Sequence, residues 1–434
     1  MTPPITPSGT AQRAPALPRD AGPGTGTALM IVAGTVILPD RELSPGWVEV
    51  RDGLIVAIGD GQPPRSADVV FPADVLAPGF VDAHNHGGGG VSFNDPDPRA
   101  AAERIVGTHR AHGTTTLMAS LVTAPLDEME RLVRKLAAPV HDGLLAGIHL
   151  EGPWLSPEHR GAHAAPLLRL PDPASVDRLM RAGAGAVRMV TIAPELEGGL
   201  AAVARIVEHG AVAAIGHTDA DYDLTRAAIA AGANAGTHVF NAMRPLHHRE
   251  PGAALALLED PTVFAEVVAD GIHLHPGIVR LISQSPARPV LVTDAMAAAG
   301  AADGAYKLGS LDVRVADGAA RLVDGTIAGS VLTLSHAVRY AVLTAGVPLA
   351  LAVRAASQNP ADLLDLADRG RISPGLRADL VVLDADLSVQ ATLHAGAWVG
   401  SRNERIPANP TARPARFSGR PAALRPGDRP GRSR

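Results

Sequence analysis

The 434-residue sequence contains no cysteine. That absence excludes a disulfide framework, a thiolate metal site and a cysteine nucleophile, so any metal must be held by His, Asp or Glu. Lysine is almost as scarce: only Lys135 and Lys307 occur, and arginine supplies the rest of the positive charge. Aromatic residues make up 3% of the chain, so Val, Leu, Ile and Ala must fill the core of a protein that is 46% hydrophobic. No stretch approaches the roughly 18 to 20 continuous apolar residues of a membrane span. The formal net charge is -5 and there is no basic run. Neither nucleic acid nor a membrane suits that balance, which leaves room only for a local cationic pocket for a small anion.

The length fits a barrel of about 250 residues with a smaller companion. Residues 1–27 are rich in Pro, Gly, Ala and Thr and read as a disordered leader. They lack the basic start and apolar run of a secretory signal, so a cytoplasmic protein is expected. Residues 403–434, dominated by Pro, Arg, Ala and Gly, read as a disordered tail that cannot offset the entropy of ordering. Short β-type runs broken by Gly and Pro occupy 28–77 and recur near the other end, within 370–402. Together they predict a small β-sandwich built from both chain ends, with residues 78–369 as the main domain.

That middle region alternates strand-length apolar runs with longer helix-compatible segments. The runs are Phe80–His84, Thr114–Ser120, Leu144–Glu151, Val187–Ala193, Ala211–His217, Asn234–Phe240, Phe264–Asp270 and Val290–Asp294. Eight βα units predict an α/β fold of the (β/α)₈ TIM-like barrel type, although strand count alone also allows an open doubly wound sheet.

The polar residues closing these runs carry the chemistry. The first ends in His84-Asn85-His86, the third in His149-Leu150-Glu151, the fifth in His217, the sixth in Thr237-His238 and the eighth in Asp294. In a barrel, carboxyl strand ends share the face where active sites are built. Singly, each residue has an ordinary reading: a histidine after a strand is commonly a hydrogen-bonded loop residue, and an Asp or Glu there a helix cap. Jointly they do not, because imidazoles and carboxylates crowded on one face need desolvation and pairing. Imidazole and carboxylate donors without thiolate suit Zn²⁺, Fe²⁺ or a similar divalent ion. Amide hydrolysis at such a centre needs a base for the water proton and an acid for the leaving amine. One carboxylate serves both in turn, and Asp294 is the natural candidate.

The run PGFVDAHNHG (Pro78–Gly87) resembles the opening of the amidohydrolase superfamily. A finer resemblance, to N-acetylglucosamine-6-phosphate deacetylases, rests on HGTTTLMASLVT (His112–Thr123), GIHLEGPWLSPEHRGAHAA (Gly147–Ala165), VTIAPE (Val190–Glu195), GHTDA (Gly216–Ala220), THVFNAM (Thr237–Met243), REPG (Arg249–Gly252), DGIHLHP (Asp270–Pro276), LVTDAM (Leu291–Met296) and GTIAGSVLTL (Gly325–Leu334). The blocks span about residues 30–400. HxH alone is widespread; HLEGPW followed by GAH and REPG is specific.

This resemblance implies Glu151, His217 and His238 as ligands of the principal metal and Asp294 as general base and acid. Ala162 and His163, in GAH, are similar to contacts near the acetyl group. Asn241, Ala242, Arg249 and His273 resemble contacts to phosphate and sugar, and Ile327, Ala328 and Gly329 the loop closing over the substrate. Some members of the family lack the first-strand HxH and hold one metal; others keep it and can hold two. His84 and His86 are kept here, so one or two ions per chain are expected, with Glu151 bridging, because neither lysine follows a barrel strand. The resemblance also implies an amino-sugar phosphate substrate and a homodimer. An amidohydrolase acting on a cyclic amide or nucleobase shares HxH and the final Asp but gives no reason for GAH or REPG. A catalytically silent scaffold is the remaining alternative, and the intact ligand set counts against it.

Overall fold

The computed structural model describes residues 28–400; the expected leader and tail lie outside them. Each apolar run of the middle region is a strand: Phe80–Asp82, Thr114–Val122, Gly147–Glu151, Val187–Ile192, Val212–Ile215, Ala235–Gly236, Phe264–Val268 and Arg288–Val292. They pair in sequence order and all in parallel. Thr114–Val122 is buried along its whole length, as a parallel strand covered on both faces must be. The first and last strands then meet. Asp294 N–H donates to the His84 carbonyl at 2.9 Å, and His86 N–H to the Ala295 carbonyl at 2.8 Å. That contact closes the (β/α)₈ barrel.

Helices cover the barrel because their apolar residues recur every three to four positions. In Leu126–His141 the buried face carries Met129, Leu132, Val133 and Leu136. Asp172 and Asp221 start two other helices by accepting the backbone N–H of Ser175 at 2.9 Å and of Leu224 at 2.8 Å, which satisfies N–H groups the helix leaves free. No helix among the described residues is long and apolar enough to cross a membrane.

The chain ends form the separate β unit. Its strands follow one hydrogen-bonded path: Ala397–Trp398, Val389–His394, Leu380–Leu383, Val69–Pro78, Leu29–Ile37, Gly46–Arg51 and Leu54–Asp60. The path folds over on itself, since Ala378 N–H donates to the Gly53 carbonyl and Ile55 N–H to the Leu376 carbonyl, both at 2.8 Å. Ile31, Val48, Phe71, Leu380 and Leu393 fill the core between the two layers.

Asp379 fastens this unit to the barrel. Its carbonyl accepts Gly79 N–H at 2.8 Å, and its buried carboxylate accepts Arg377 Nε at 2.8 Å and Ala395 N–H at 2.8 Å. Burial alone would raise its pKa, but His394 and Arg377 outweigh it and hold the carboxyl below the usual range. A depressed carboxyl stabilises the fold above its unfolded pKa of about 3.9, and the contribution is lost as pH falls through the lower folded value. Asp379→Asn should therefore lower the unfolding free energy by about 3 kcal/mol at neutral pH. In denaturant titrations that difference should shrink below about pH 4. A wild-type midpoint would remove the carboxylate from this joint.

One element has no counterpart in the strand pattern of the sequence. After the eighth barrel strand, Gly304–Leu308, Leu311–Ala316 and Ala319–Arg321 form an antiparallel sheet. Its inward residues Leu308, Val313, Val315 and Ala320 pack with Ala328, Met296 and Ala162. The alternation is short and surrounded by Ala, Gly and Asp, so it stands out poorly. The insert carries Leu308 and Thr326–Gly329 to the mouth of the barrel.

Candidate active site

Three of the strand-end residues turn out of their strands in the left-handed backbone region: His217 at φ 48°, His238 at φ 29° and Asp294 at φ 49°. Such conformations cost non-glycine residues about 1–3 kcal/mol each and persist where surrounding structure enforces them. Here they accompany side chains that converge over the barrel. His217 Nε2 and His238 Nε2 lie 3.1 and 3.0 Å from Glu151 Oε1 and 3.1 Å from each other. Beside them, His84 Nε2 and His86 Nε2 are 3.0 Å apart. His86 Nε2 is 3.2 Å from both Glu151 Oε2 and Asp294 Oδ1. Glu151 thus stands between two groups of donors, Glu151–His217–His238 and His84–His86–Asp294, each compact enough to hold an ion.

The far nitrogens of these rings show what the near ones offer. His86 Nδ1 is 3.1 Å from the Ser120 carbonyl, His217 Nδ1 is 2.8 Å from the His159 carbonyl, and His84 Nδ1 is 3.0 Å from Glu266 Oε2. None of these oxygens carries a hydrogen, so each Nδ1 donates, and in the neutral ring Nε2 turns a lone pair inward. The Nε2 atoms of His84 and His86, 3.0 Å apart, would present lone pairs to one another in the neutral rings unless a cation lay between them. At this first-strand pair the neighbouring carboxylates favour a positive charge. Burial pushes His86 down, yet Asp294 and Glu151 bring its pKa up to about 9. Asp294 shows the converse: burial raises its carboxyl, and the hydrogen bond from His86 and the charge of His84 pull it to about 2. Burial lowers His217 to about 4, which keeps it neutral and ready to ligate. The donor set fits a divalent metal.

The centre opens into a cavity of about 450 Å³. Its wall includes His86, Glu151, His217, His238 and Asp294 from the strand ends, and Ala162, His163, Asn241, Ala242, His273, Ile327 and Gly329 among the residues nominated for substrate. His84 lies beneath, fully buried. Ala328 is buried in the insert, its N–H donating to the Ala320 carbonyl at 3.0 Å. Arg249 is not brought in: it sits in an exposed loop outside the wall, its guanidinium 2.7 Å from His248. His149, although next to the ligand sequence, points into the barrel between Ser120 Oγ at 2.9 Å and Thr191 Oγ1 at 2.8 Å.

Two glycines are required by close approach. Gly329, at φ 66°, passes so near Asp294 that a Cβ would lie 2.9 Å from its carbonyl oxygen. Gly161, at φ 52°, lies against His217 and Ala242, and a Cβ would meet the His217 ring at 3.1 Å. The sequence pattern does not single out Glu158, His159, Arg160, Leu308 and Thr326, which also line the cavity, nor Glu266. For Glu266 a signal existed: a carboxylate in the middle of the apolar run FAEVV, where an unpaired charge would be costly.

Residues 75–411 match the amidohydrolase family model. The chain belongs to the amidohydrolase family. Within it, the chain is 36% identical over 370 residues to N-acetylgalactosamine-6-phosphate deacetylase of Escherichia coli O157:H7, covering 82% of this chain and 97% of that one. It is 32% identical over 394 residues to N-acetylglucosamine-6-phosphate deacetylase of Bacillus subtilis strain 168, covering 87% and 99%. Among solved structures, an aspartate-to-alanine variant of N-acetyl-D-glucosamine-6-phosphate deacetylase from Mycobacterium smegmatis, in complex with N-acetyl-D-glucosamine-6-phosphate, shares 50% identity and a TM-score of 0.84, covering 87% of this chain and 100% of that one. The barrel, the end-built β unit and the His/Glu/Asp centre are therefore those of an amidohydrolase.

Proposed function

We propose that the protein is an N-acetylglucosamine-6-phosphate deacetylase, hydrolysing the N-acetyl group to give glucosamine 6-phosphate and acetate, with Zn²⁺ as its metal. The observation that carries the reading is the Glu151-centred imidazole cluster with Asp294 beside it at the floor of a cavity. About 450 Å³ lies within the roughly 300–1,000 Å³ of small-molecule sites. Relatives act on both hexosamine epimers, and the 50% identical solved relative holds the gluco form. A charged sugar phosphate is retained behind membranes, which suits a cytoplasmic enzyme.

Glu151, His217 and His238 would hold the principal ion, and His84 and His86 a second one across Glu151. A divalent ion there supplies Lewis-acid chemistry, acidifying water and polarising the amide carbonyl. Asp294 is the proton carrier. Its carboxylate, ionised at neutral pH, takes a proton from the attacking water as the oxygen–carbon bond forms. It returns that proton to the nitrogen as the carbon–nitrogen bond breaks, so acetate and a free amine leave. His163 orients the acetyl group: its Nδ1 is held 2.8 Å from Thr123 Oγ1 and its Nε2 faces the centre, 3.3 Å from Glu151 Oε2. Asn241 and Ala242, the latter at φ 49°, mark the phosphate end of the cavity, whose wall also carries His273 and the cationic Arg160.

The test is a substrate panel. N-acetylglucosamine 6-phosphate should exceed both its 4-epimer and the unphosphorylated sugar in kcat/KM. Arg160→Met should weaken turnover of the phosphorylated sugar by about tenfold, a discounted charge-assisted contact at an exposed position, with little change for the sugar without phosphate. Equal effects would remove Arg160 from the phosphate end, and a panel with no preference for the 6-phosphate would remove the substrate assignment.

A further inference from the structure

Glu266 stands in the middle of the seventh barrel strand, Phe264–Val268, completely buried. A carboxylate is retained in such a place only with strong partners. Its Oε2 atom lies 3.0 Å from His84 Nδ1 and accepts the backbone N–H of His238 at 3.1 Å. Its other oxygen makes no hydrogen bond among the described residues. One carboxylate oxygen thus touches both sides of the centre, a first-strand imidazole and the backbone of a sixth-strand ligand held at φ 29°.

The partner of His84 differs in kind from those of its neighbours. His86 and His217 donate Nδ1–H to neutral carbonyls, of Ser120 and His159. His84 donates to a carboxylate. That contact fixes its tautomer, aims Nε2 at His86 Nε2 at 3.0 Å and Glu151 Oε1 at 3.5 Å, and makes it a stronger donor. We infer that Glu266 is the positioning residue that makes the His84–His86 side able to bind a second divalent ion. The inference rests on the two-ion reading above. A carboxylate that merely propped the barrel would matter equally to both ion positions; one acting through His84 matters chiefly to the second.

Zinc-binding isotherms separate these cases. Metal-stripped wild type, Glu266→Gln and Glu266→Met are titrated with Zn²⁺ alone, read by calorimetry and by ion content after equilibrium dialysis. The wild type is expected to take up two ions. Glu266→Met should bind the second ion about 10–100-fold more weakly and the first less than about threefold more weakly. Glu266→Gln keeps the shape and an acceptor oxygen but loses the charge, and should fall between. A second ion held by Glu266→Met as tightly as by wild type, or both ions weakened alike, overturns the inference. If Glu266→Met does not fold, Glu266→Gln against wild type decides by the same criterion. A wild type that never exceeds one ion overturns the two-ion reading itself, a failure visible without any variant.

Discussion

Replacing Asp294 by asparagine should lower kcat by a factor of 10² or more, the usual loss when a general acid–base is removed, while metal content and substrate binding remain. Asparagine keeps the shape at the end of the eighth strand and an oxygen for His86, whose Nε2 lies 3.2 Å from Asp294 Oδ1. It cannot take a proton from water. A cap for a following helix would be the ordinary alternative, and asparagine would fill it nearly as well. The fold removes that alternative, because the next helix after Asp294 is Leu334–Leu343. The wild-type pH profile should carry an acidic limb that reports the carboxylate losing its base form, and the variant should lack that limb. Near-wild-type turnover in a fully metallated Asp294→Asn protein would defeat the proton-carrier role even with the family assignment intact.

Glu151→Gln should be the most damaging single substitution, because one carboxylate serves five imidazoles. His238, His217, His86, His163 and His84 present nitrogens 3.0, 3.1, 3.2, 3.3 and 3.5 Å from it. The histidines and Asp294 would still be present, but the charge between the two donor groups would be gone. Glutamine's NH₂ group would also point hydrogens at nitrogens that must offer lone pairs. The expected result is loss of both ions and a fall in kcat/KM on the order of 10³, the upper range for removing one preorganised electrostatic partner. Circular dichroism should be unchanged, since Glu151 ends its strand and the ladder to Thr114–Val122 uses backbone groups. Wild-type metal content in the variant would show that Glu151 is not a ligand.

The parts of this site legible in the sequence were those fixed by periodicity. A fully buried parallel strand reads as a continuous apolar run, so the polar residue that ends it is conspicuous; His84, His86, Glu151, His217, His238 and Asp294 all declare themselves that way. Barrel closure does not, because it depends on hydrogen bonds between segments more than 200 residues apart, such as Asp294 to His84. Glu266 was hidden for a related reason: its value lies in an oxygen that meets His84 across the barrel, and no local spacing encodes that. Arg249 is a different case: a motif nominates the residue type, while its place in space, here an exposed loop outside the cavity wall, is set by the fold. The three-stranded insert was obscured by its short alternation and small residues, although it supplies Ile327 and Gly329 to the site.

The most direct test of the central claim strips the protein of metal with a chelator, restores Zn²⁺, and follows acetate and primary amine together from N-acetylglucosamine 6-phosphate. Metal-dependent amide hydrolysis predicts equal amounts of both products with at least about one ion per chain restored, and background rates after stripping. A correctly folded, fully metallated protein that releases neither acetate nor amine above background would contradict it.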